Sequence, residues 1–193
     1  AMTAQLEPYD IARIVGEVKA IDASVSPKRV LIDAEWVEAD TIIISSGVQY
    51  RNLGVPGEEK YIGKGISYCA LCDGNFFRGQ PIAVVGGGNS ALEESLYLSK
   101  IVSKLHLIHR RGEFRAAPIY QQRIKQKENV ILEYHSVISA LHGENGLEAV
   151  SIKDVRTGEE RTLAVNGLFV FIGFVPVGDF WPKELERDAQ GFV

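Results

Sequence analysis

Cysteine is scarce in this chain, with two in 193 residues, too few for the disulfide framework of a small secreted domain. They stand at 69 and 72, a spacing that points to redox or metal chemistry. No apolar run reaches the roughly 18–20 residues of a membrane span. The start has no basic segment followed by an apolar one, so no secretory signal is read there. These absences exclude a membrane partner and make a soluble, cytoplasmic protein the expectation. Excess positive charge is lacking too: 21 Lys and Arg against 25 Asp and Glu leave a net charge of −4. Nucleic acid is therefore excluded as the main partner, because its backbone attracts strongly basic surfaces. Repeats and low-complexity tracts are absent, and an apolar share of 46% with 24% charged residues is that of a globular chain with a core to bury.

The residues that are present divide the chain by pattern. Ile11 to Ile21 and Arg29 to Asp33 are rich in β-branched residues around the turn at Ser26-Pro27 and read as paired strands. Trp36 to Ser46 ends in the apolar run Thr41-Ile42-Ile43-Ile44, which predicts a strand buried on both faces. Gly54 to Gly65 is a glycine-punctuated loop suited to joining two domains. Beyond it come a strand (Pro81 to Gly86), a helix (Ser90 to Ile101, with Ser90 as cap) and a strand (Lys104 to His109). A solvated helix is expected over Ala117 to Glu128. Later strands are expected at Asn129 to Tyr134, Leu147 to Val155, Arg161 to Val165 and Leu168 to Ile172.

Gly86-Gly87-Gly88-Asn89-Ser90-Ala91 fits G-x-G-x-x-G/A between the predicted strand and helix. In this pattern the first glycine makes the tight turn and the second lets a pyrophosphate reach the backbone. The final small residue, Ala91, lets the helix pack close while its N-terminus faces the phosphates. About twenty residues on, where NAD-binding chains present an acid to the ribose 2′-hydroxyl, stands His109-Arg110-Arg111, with Arg115 close behind. An acid there would repel a 2′-phosphate, whereas guanidinium groups bind one through charge-assisted hydrogen bonds. NADPH is therefore the expected dinucleotide. The competing reading is a glycine turn and a basic helix start of purely structural use.

Cys69-Ala70-Leu71-Cys72-Asp73-Gly74 places two thiols within reach of one disulfide, and Asp73 beside them is a candidate proton donor or acceptor. Half of a zinc site is the first alternative. Zinc needs four N or S ligands, and there is neither a second CxxC nor a His-x₃₋₅-His, so no metal is expected. A structural disulfide or two inert thiols would be the plainer reading without the nucleotide motif.

Together Ser67 to Gly74 (SYCALCDG), Gly86 to Glu94 (GGGNSALEE) and His109 to Ala116 (HRRGEFRA) resemble the low-molecular-weight thioredoxin reductases. Ile42 to Gly47 with Gly54 to Glu59 (GVPGEE), and Phe169 to Pro176 (FVFIGFVP), are similar to stretches of that family's flavin side. The resemblance implies an α/β fold: a three-layer, Rossmann-like NADPH-binding domain flanked by a β-rich, partial FAD-binding domain. Residues 1–57 would be flavin-side, 58–167 the NADPH domain carrying the CxxC, and 168–193 the return to the flavin side.

It further implies NADPH-dependent thioredoxin-disulfide reduction, with electrons passing from NADPH to FAD, to the Cys69–Cys72 disulfide and to a thioredoxin or thioredoxin-like protein. Cys69 would attack the partner, Cys72 would face the flavin, and Asp73 would manage the thiol proton. Gly86, Gly88, Asn89, Ser90 and Ala91 would hold the pyrophosphate, and His109, Arg110, Arg111 and Arg115 the 2′-phosphate end. Family members are commonly homodimers.

The chain departs from the family pattern at Ser45-Ser46-Gly47 (usually Ala-Thr-Gly) and at Pro176-Val177 (usually Pro-Asn). The family's N-terminal glycine fingerprint and C-terminal Gly-Asp motif for FAD are also missing. The chain is therefore expected to be the central part of a longer reductase, and alone to bind NADPH without holding FAD tightly. Rivals are the flavoprotein subunit of an alkyl hydroperoxide reductase, against which the arginines count, and a ferredoxin–NADP reductase, against which the CxxC counts. A non-catalytic, redox-sensing NADP(H)-binding module is the alternative from a different class.

Overall fold

The computed structural model describes residues 5–193 and has an α/β fold. In chain order the strands are β1 (Val18–Asp22), β2 (Lys28–Ile32), β3 (Glu35–Ala39), β4 (Val48–Tyr50), β5 (Ile66–Ser67), β6 (Pro81–Gly86), β7 (Lys104–Ile108) and β8 (Val130–Glu133). After these come β9 (Ser136–His142), β10 (Ala149–Asp154), β11 (Glu160–Ala164), β12 (Gly167–Phe171) and β13 (Phe174–Pro176). The helices are α1 (Ala70–Asp73), α2 (Asn89–Leu98) and α3 (Pro118–Lys125). Two compact units result, one of residues Tyr50–Phe174 and one of Ala1–Gln49 with Val175–Val193. The chain passes between them in β4 and β13, which pair as a two-stranded ribbon.

The larger unit is built on a parallel sheet of order β5-β12-β6-β7-β8. Its central strands are apolar on both faces, as parallel strands covered on two sides must be. Successive side chains of a strand point to opposite faces. Ile82, Val84, Leu105 and Leu107 accordingly pack with Ala91, Leu92 and Leu98 of α2 and Ile124 of α3. Ala83, Val85, Leu168 and Val170 pack on the other face with Ile138, Val150, Ile152 and Leu163 of a second, antiparallel sheet of order β11-β10-β9. Helices, parallel sheet and antiparallel sheet thus form three layers.

The smaller unit contains the antiparallel sheet β1-β2-β3, in which no residue is fully buried. Asp22 and Arg29 form an ion pair at 2.7 Å across β1 and β2, and the Arg29 guanidinium lies 5.0 Å from the Trp36 ring.

Two expectations are corrected. The first strand begins at Val18 rather than Ile11. Thr41 to Ile44 forms no strand ladder among the described residues, and Ile43 is 88% exposed; an apolar run alone cannot supply the neighbour that makes a strand. Leu168 to Ile172, expected as a strand, contributes β12 at the heart of the parallel sheet, between β5 and β6.

Candidate functional site: a dinucleotide cleft and a disulfide at one sheet edge

The order of the parallel sheet creates a switch point. From β6 the chain winds outward through β7 to β8, and after the antiparallel sheet it returns to the opposite side of β6 as β12. In open α/β sheets the crevice at the carboxyl ends of the strands flanking such a reversal is where ligands bind. A cleft of about 270 Å³ opens there, lined by Gly86 and Gly87 after β6, His109, Arg110 and Arg115 after β7, Phe171 and Ile172 at the end of β12, and Arg51.

The glycine turn is shaped from two sides. Gly86 has φ 156°, and a Cβ on it would fall 2.5 Å from the Ala91 Cβ and 2.5 Å from the Phe171 carbonyl oxygen, so α2 and β12 close on it only because it is glycine. A Cβ on Gly88 would meet no atom within 4 Å. No protein packing demands a glycine there, and the open space suits a ligand approaching the backbone. Gly88, not Ser90, caps α2, and no side-chain cap bond is made, which leaves first-turn amides available to an anion. Asn89 is engaged elsewhere: its Oδ1 accepts from the Ala117 backbone N–H at 2.8 Å, tying the turn to the start of α3. Ser90 is exposed and Ala91 fully buried. A dinucleotide pyrophosphate fits this cradle.

The basic loop is locked in place by its own backbone. Arg115 and Ala116 donate N–H bonds to the Gly87 carbonyl at 2.8 and 3.1 Å, and His135 donates to the Arg111 carbonyl at 3.2 Å. Arg110 and Arg115 line the cleft, while Arg111, also exposed, is not among its lining residues. His109 is buried beneath Gly87, where a Cβ would fall 2.2 Å from its ring. Its Nε2–H donates to the Glu113 carbonyl at 3.0 Å. Burial holds the His109 pKa below its ordinary value and the charges of Arg111, Arg115 and Arg110 act in the same direction, against the bond to Glu113. His109 is thus a neutral strut under the turn, and the exposed cations are the arginines.

The disulfide segment leaves the same edge of the sheet. Ser67 of β5 is level with Phe169 of β12, itself level with Val84 of β6, so the parallel strands direct the CxxC and the glycine turn to one side. Cys69 and Cys72 are joined as a disulfide, and Cys69 caps α1, its Sγ accepting from the Cys72 N–H at 3.1 Å. Cys72 is exposed and Cys69 half-buried. Ser67, which opens the SYCALCDG stretch without a role assigned to it there, organises the segment. Its buried hydroxyl donates to Asp73 Oδ2 at 2.6 Å and accepts from the Cys69 N–H at 3.1 Å. Leu71 and Phe76, 67% and 78% exposed, leave apolar surface beside the disulfide.

Near the switch-point edge, the buried Glu58 carboxylate accepts N–H bonds from Leu53 and Gly54, each at 2.9 Å, closing the loop that follows β4. Burial, with the Glu58 charge adding to it, pushes the Tyr68 hydroxyl up to about 12. The departures from the family pattern meet within the smaller unit. The Ser46 hydroxyl donates to the Val177 carbonyl at 2.6 Å and accepts from Trp181 Nε1 at 3.3 Å. Among the described residues no group of three or more His, Cys, Asp or Glu could hold a metal ion, and no helix is long and apolar enough to cross a membrane.

One parallel sheet thus carries a glycine turn at its switch point and a disulfide at the same edge. The pyridine nucleotide-disulphide oxidoreductase family matches residues 7–193, and the chain belongs to it. It is 38% identical over 196 residues to a thioredoxin reductase of Vibrio cholerae, covering 100% of this chain and 61% of that protein. With a Treponema pallidum thioredoxin reductase it shares 39% identity over 155 residues, 80% of this chain and 50% of the relative. The crystal structure of Lactococcus lactis thioredoxin reductase superposes with a TM-score of 0.84 at 36% identity, covering 100% of this chain and 64% of that one. The chain therefore spans between half and two thirds of the length of these relatives.

Proposed function

We propose that the unit Tyr50–Phe174 is the NADPH-binding and disulfide-bearing domain of a thioredoxin-disulfide reductase, and that the smaller unit belongs to its flavin side. The observation that carries this reading is the shared sheet edge: a glycine turn flanked by arginines and a Cys69–Cys72 disulfide leave one parallel sheet on the same side. Arg110 and Arg115 would hold the 2′-phosphate, with Arg111 adding charge nearby. The first-turn amides of α2 behind Gly86 and Gly88 would hold the pyrophosphate, while Asn89 and His109 fix the turn and the basic loop.

In a thioredoxin reductase a bound flavin supplies the conversion of nicotinamide hydride into electrons for a disulfide. Among the described residues there is no second strand, glycine turn and helix for the FAD pyrophosphate, so no step on this chain is routed through flavin. What the chain's own residues do begins at the disulfide. Two electrons and two protons convert Cys69–Cys72 to thiols, and Asp73, whose Oδ2 accepts a hydrogen bond from Ser67, would manage a thiol proton. The Cys69 thiolate then attacks one sulfur of a thioredoxin disulfide. The other partner sulfur leaves and takes a proton. Cys72 attacks the mixed disulfide, restoring Cys69–Cys72 and releasing the reduced partner. A homodimeric, cytoplasmic setting completes the proposal and rests on the family alone.

The test is NADPH oxidation coupled to thioredoxin reduction by the full-length gene product. Turnover is expected, and Cys69→Ser or Cys72→Ser should abolish it. NADPH binding without thioredoxin reduction would instead favour the non-catalytic sensing module.

A further inference from the structure

The cleft contains a cation that the fingerprint does not account for. Arg51 follows β4 and precedes the glycine turn by 35 positions. The fold brings it to the cleft through the turn after β12: its backbone N–H donates to the Gly173 carbonyl at 3.0 Å, and Arg51 lines the cleft together with Gly86, Gly87, Phe171 and Ile172. The guanidinium makes one weak contact, from Nη2 to the Phe174 carbonyl at 3.4 Å, and no carboxylate pairs with it among the described residues. An exposed arginine in this condition is ordinarily a solvated surface charge. Its place relative to the sheet argues for more.

Arg51 is anchored beyond the end of β12, whereas Arg110 lies beyond the end of β7, with β6 and its glycine turn between them. Two strand spacings separate those tips by ~9–10 Å, so the cations flank the turn instead of clustering at one end. A dinucleotide extended across a switch point puts its adenosine ribose on one side of the turn and its nicotinamide on the other, with the pyrophosphate over the turn itself. The 2′-phosphate belongs to the Arg110 and Arg115 side. Of what remains within reach of the β12 side, only the pyrophosphate carries negative charge.

We propose that Arg51 is a pyrophosphate-binding residue of this site, completing the glycine cradle from the β12 side and taking no part in discrimination between NADPH and NADH. This rests on the reading of the cleft as a nicotinamide-dinucleotide site. A guanidinium hydrogen-bonded to phosphate is worth about tenfold or more in affinity.

The test is calorimetric or competition binding of three probes, NADPH, NADH and 2′-AMP, to the chain and to three variants. Arg51→Ala should weaken NADPH and NADH by the same factor, about tenfold, and leave 2′-AMP unchanged, with Arg51→Lys restoring most of the loss. Arg110→Ala should do the reverse, weakening NADPH and 2′-AMP while sparing NADH. Arg51 is exposed, so an unchanged melting temperature is expected and is checked in parallel. An Arg51→Ala variant that binds NADH as the unmodified chain does overturns the inference, as does one that loses 2′-AMP. Failure of the unmodified chain to bind either dinucleotide would overturn the cofactor reading itself, along with the role of Arg51.

Discussion

The two units spend their apolar residues differently. In Tyr50–Phe174 the side chains of Ile82, Leu92, Leu105, Leu107 and Phe169 are withdrawn completely from solvent, packed together on the helix-covered face of one sheet. In the smaller unit no residue of β1, β2 or β3 is fully buried, and Val15 is 98% exposed. Full burial of one such aliphatic side chain contributes about 1.5–3 kcal/mol, so the larger unit holds a core of its own and the smaller one is thinly held. A cofactor turn must be held to fractions of an ångström to be useful. The cleft and the disulfide both lie in the unit with the rigid core.

The comparison is broken most severely by core truncation. Leu107→Ala should cost the larger unit about 2–5 kcal/mol. Val30→Ala on half-buried β2 should cost the smaller unit less than about 1.5 kcal/mol. Denaturant titration followed by hydrogen exchange assigns each loss to its unit, and equal costs would erase the distinction.

Next in size is the charge reversal Arg110→Glu with Arg115→Glu. It should remove the preference for NADPH, a loss of about 2–3 kcal/mol in binding, with no change in the hydrogen-exchange protection of β6 and β7. A variant that retains the preference would move the 2′-phosphate elsewhere.

A third variant probes how the layers of the larger unit are joined. Glu133 is buried, bonded to His106 Nδ1 at 2.9 Å and also to Arg161, so one carboxylate links β8 to β7 and to β11. Its hydrogen bond from His106, assisted by the Arg161 charge, holds its pKa below the ordinary 4.5 against the opposing effect of burial. The folded value lies below the unfolded one. The associated stability is therefore present above about pH 4.5 and lost as pH falls through the lower, folded value. Glu133→Gln should cost about 1–3 kcal/mol near neutrality and flatten the acid dependence of the melting temperature. An acid limb as steep as that of the unmodified chain would show that another carboxylate governs it.

The smallest effect is expected at Ser67, because one hydroxyl is lost and the core is untouched. Ser67→Ala removes the acceptor of the Cys69 N–H and the donor to Asp73. Exchange of the Cys69 amide should quicken by a factor corresponding to about 0.5–1.5 kcal/mol, Ser67→Thr should restore it, and NADPH affinity should be unchanged. Unaltered exchange would remove Ser67 from the organisation of the disulfide segment.

Local spacing explains why so much of the larger unit is legible in the sequence. Strand, glycine turn, helix and strand follow one another within the single stretch Pro81 to Ile108, and each is marked by its own periodicity and punctuation. What depends on distant neighbours is not legible. Leu168 to Ile172 reads as a buried strand, yet nothing local says that it slots between β5 and β6. Strand β9 went unread because Ser136–His142 mixes Ser and His into an irregular alternation. Arg51 carries no motif and Ser67 has no role in the one it opens; only the fold brings the one to Gly173 and the hydroxyl of the other to Asp73.

The central claim, that the larger unit is an NADP(H)-binding domain, is tested most directly by titrating the unmodified chain with NADPH and NADH under identical salt. Arg110 and Arg115 beside the glycine turn should make NADPH bind at least about tenfold more tightly. Equal affinities for the two dinucleotides would contradict the account.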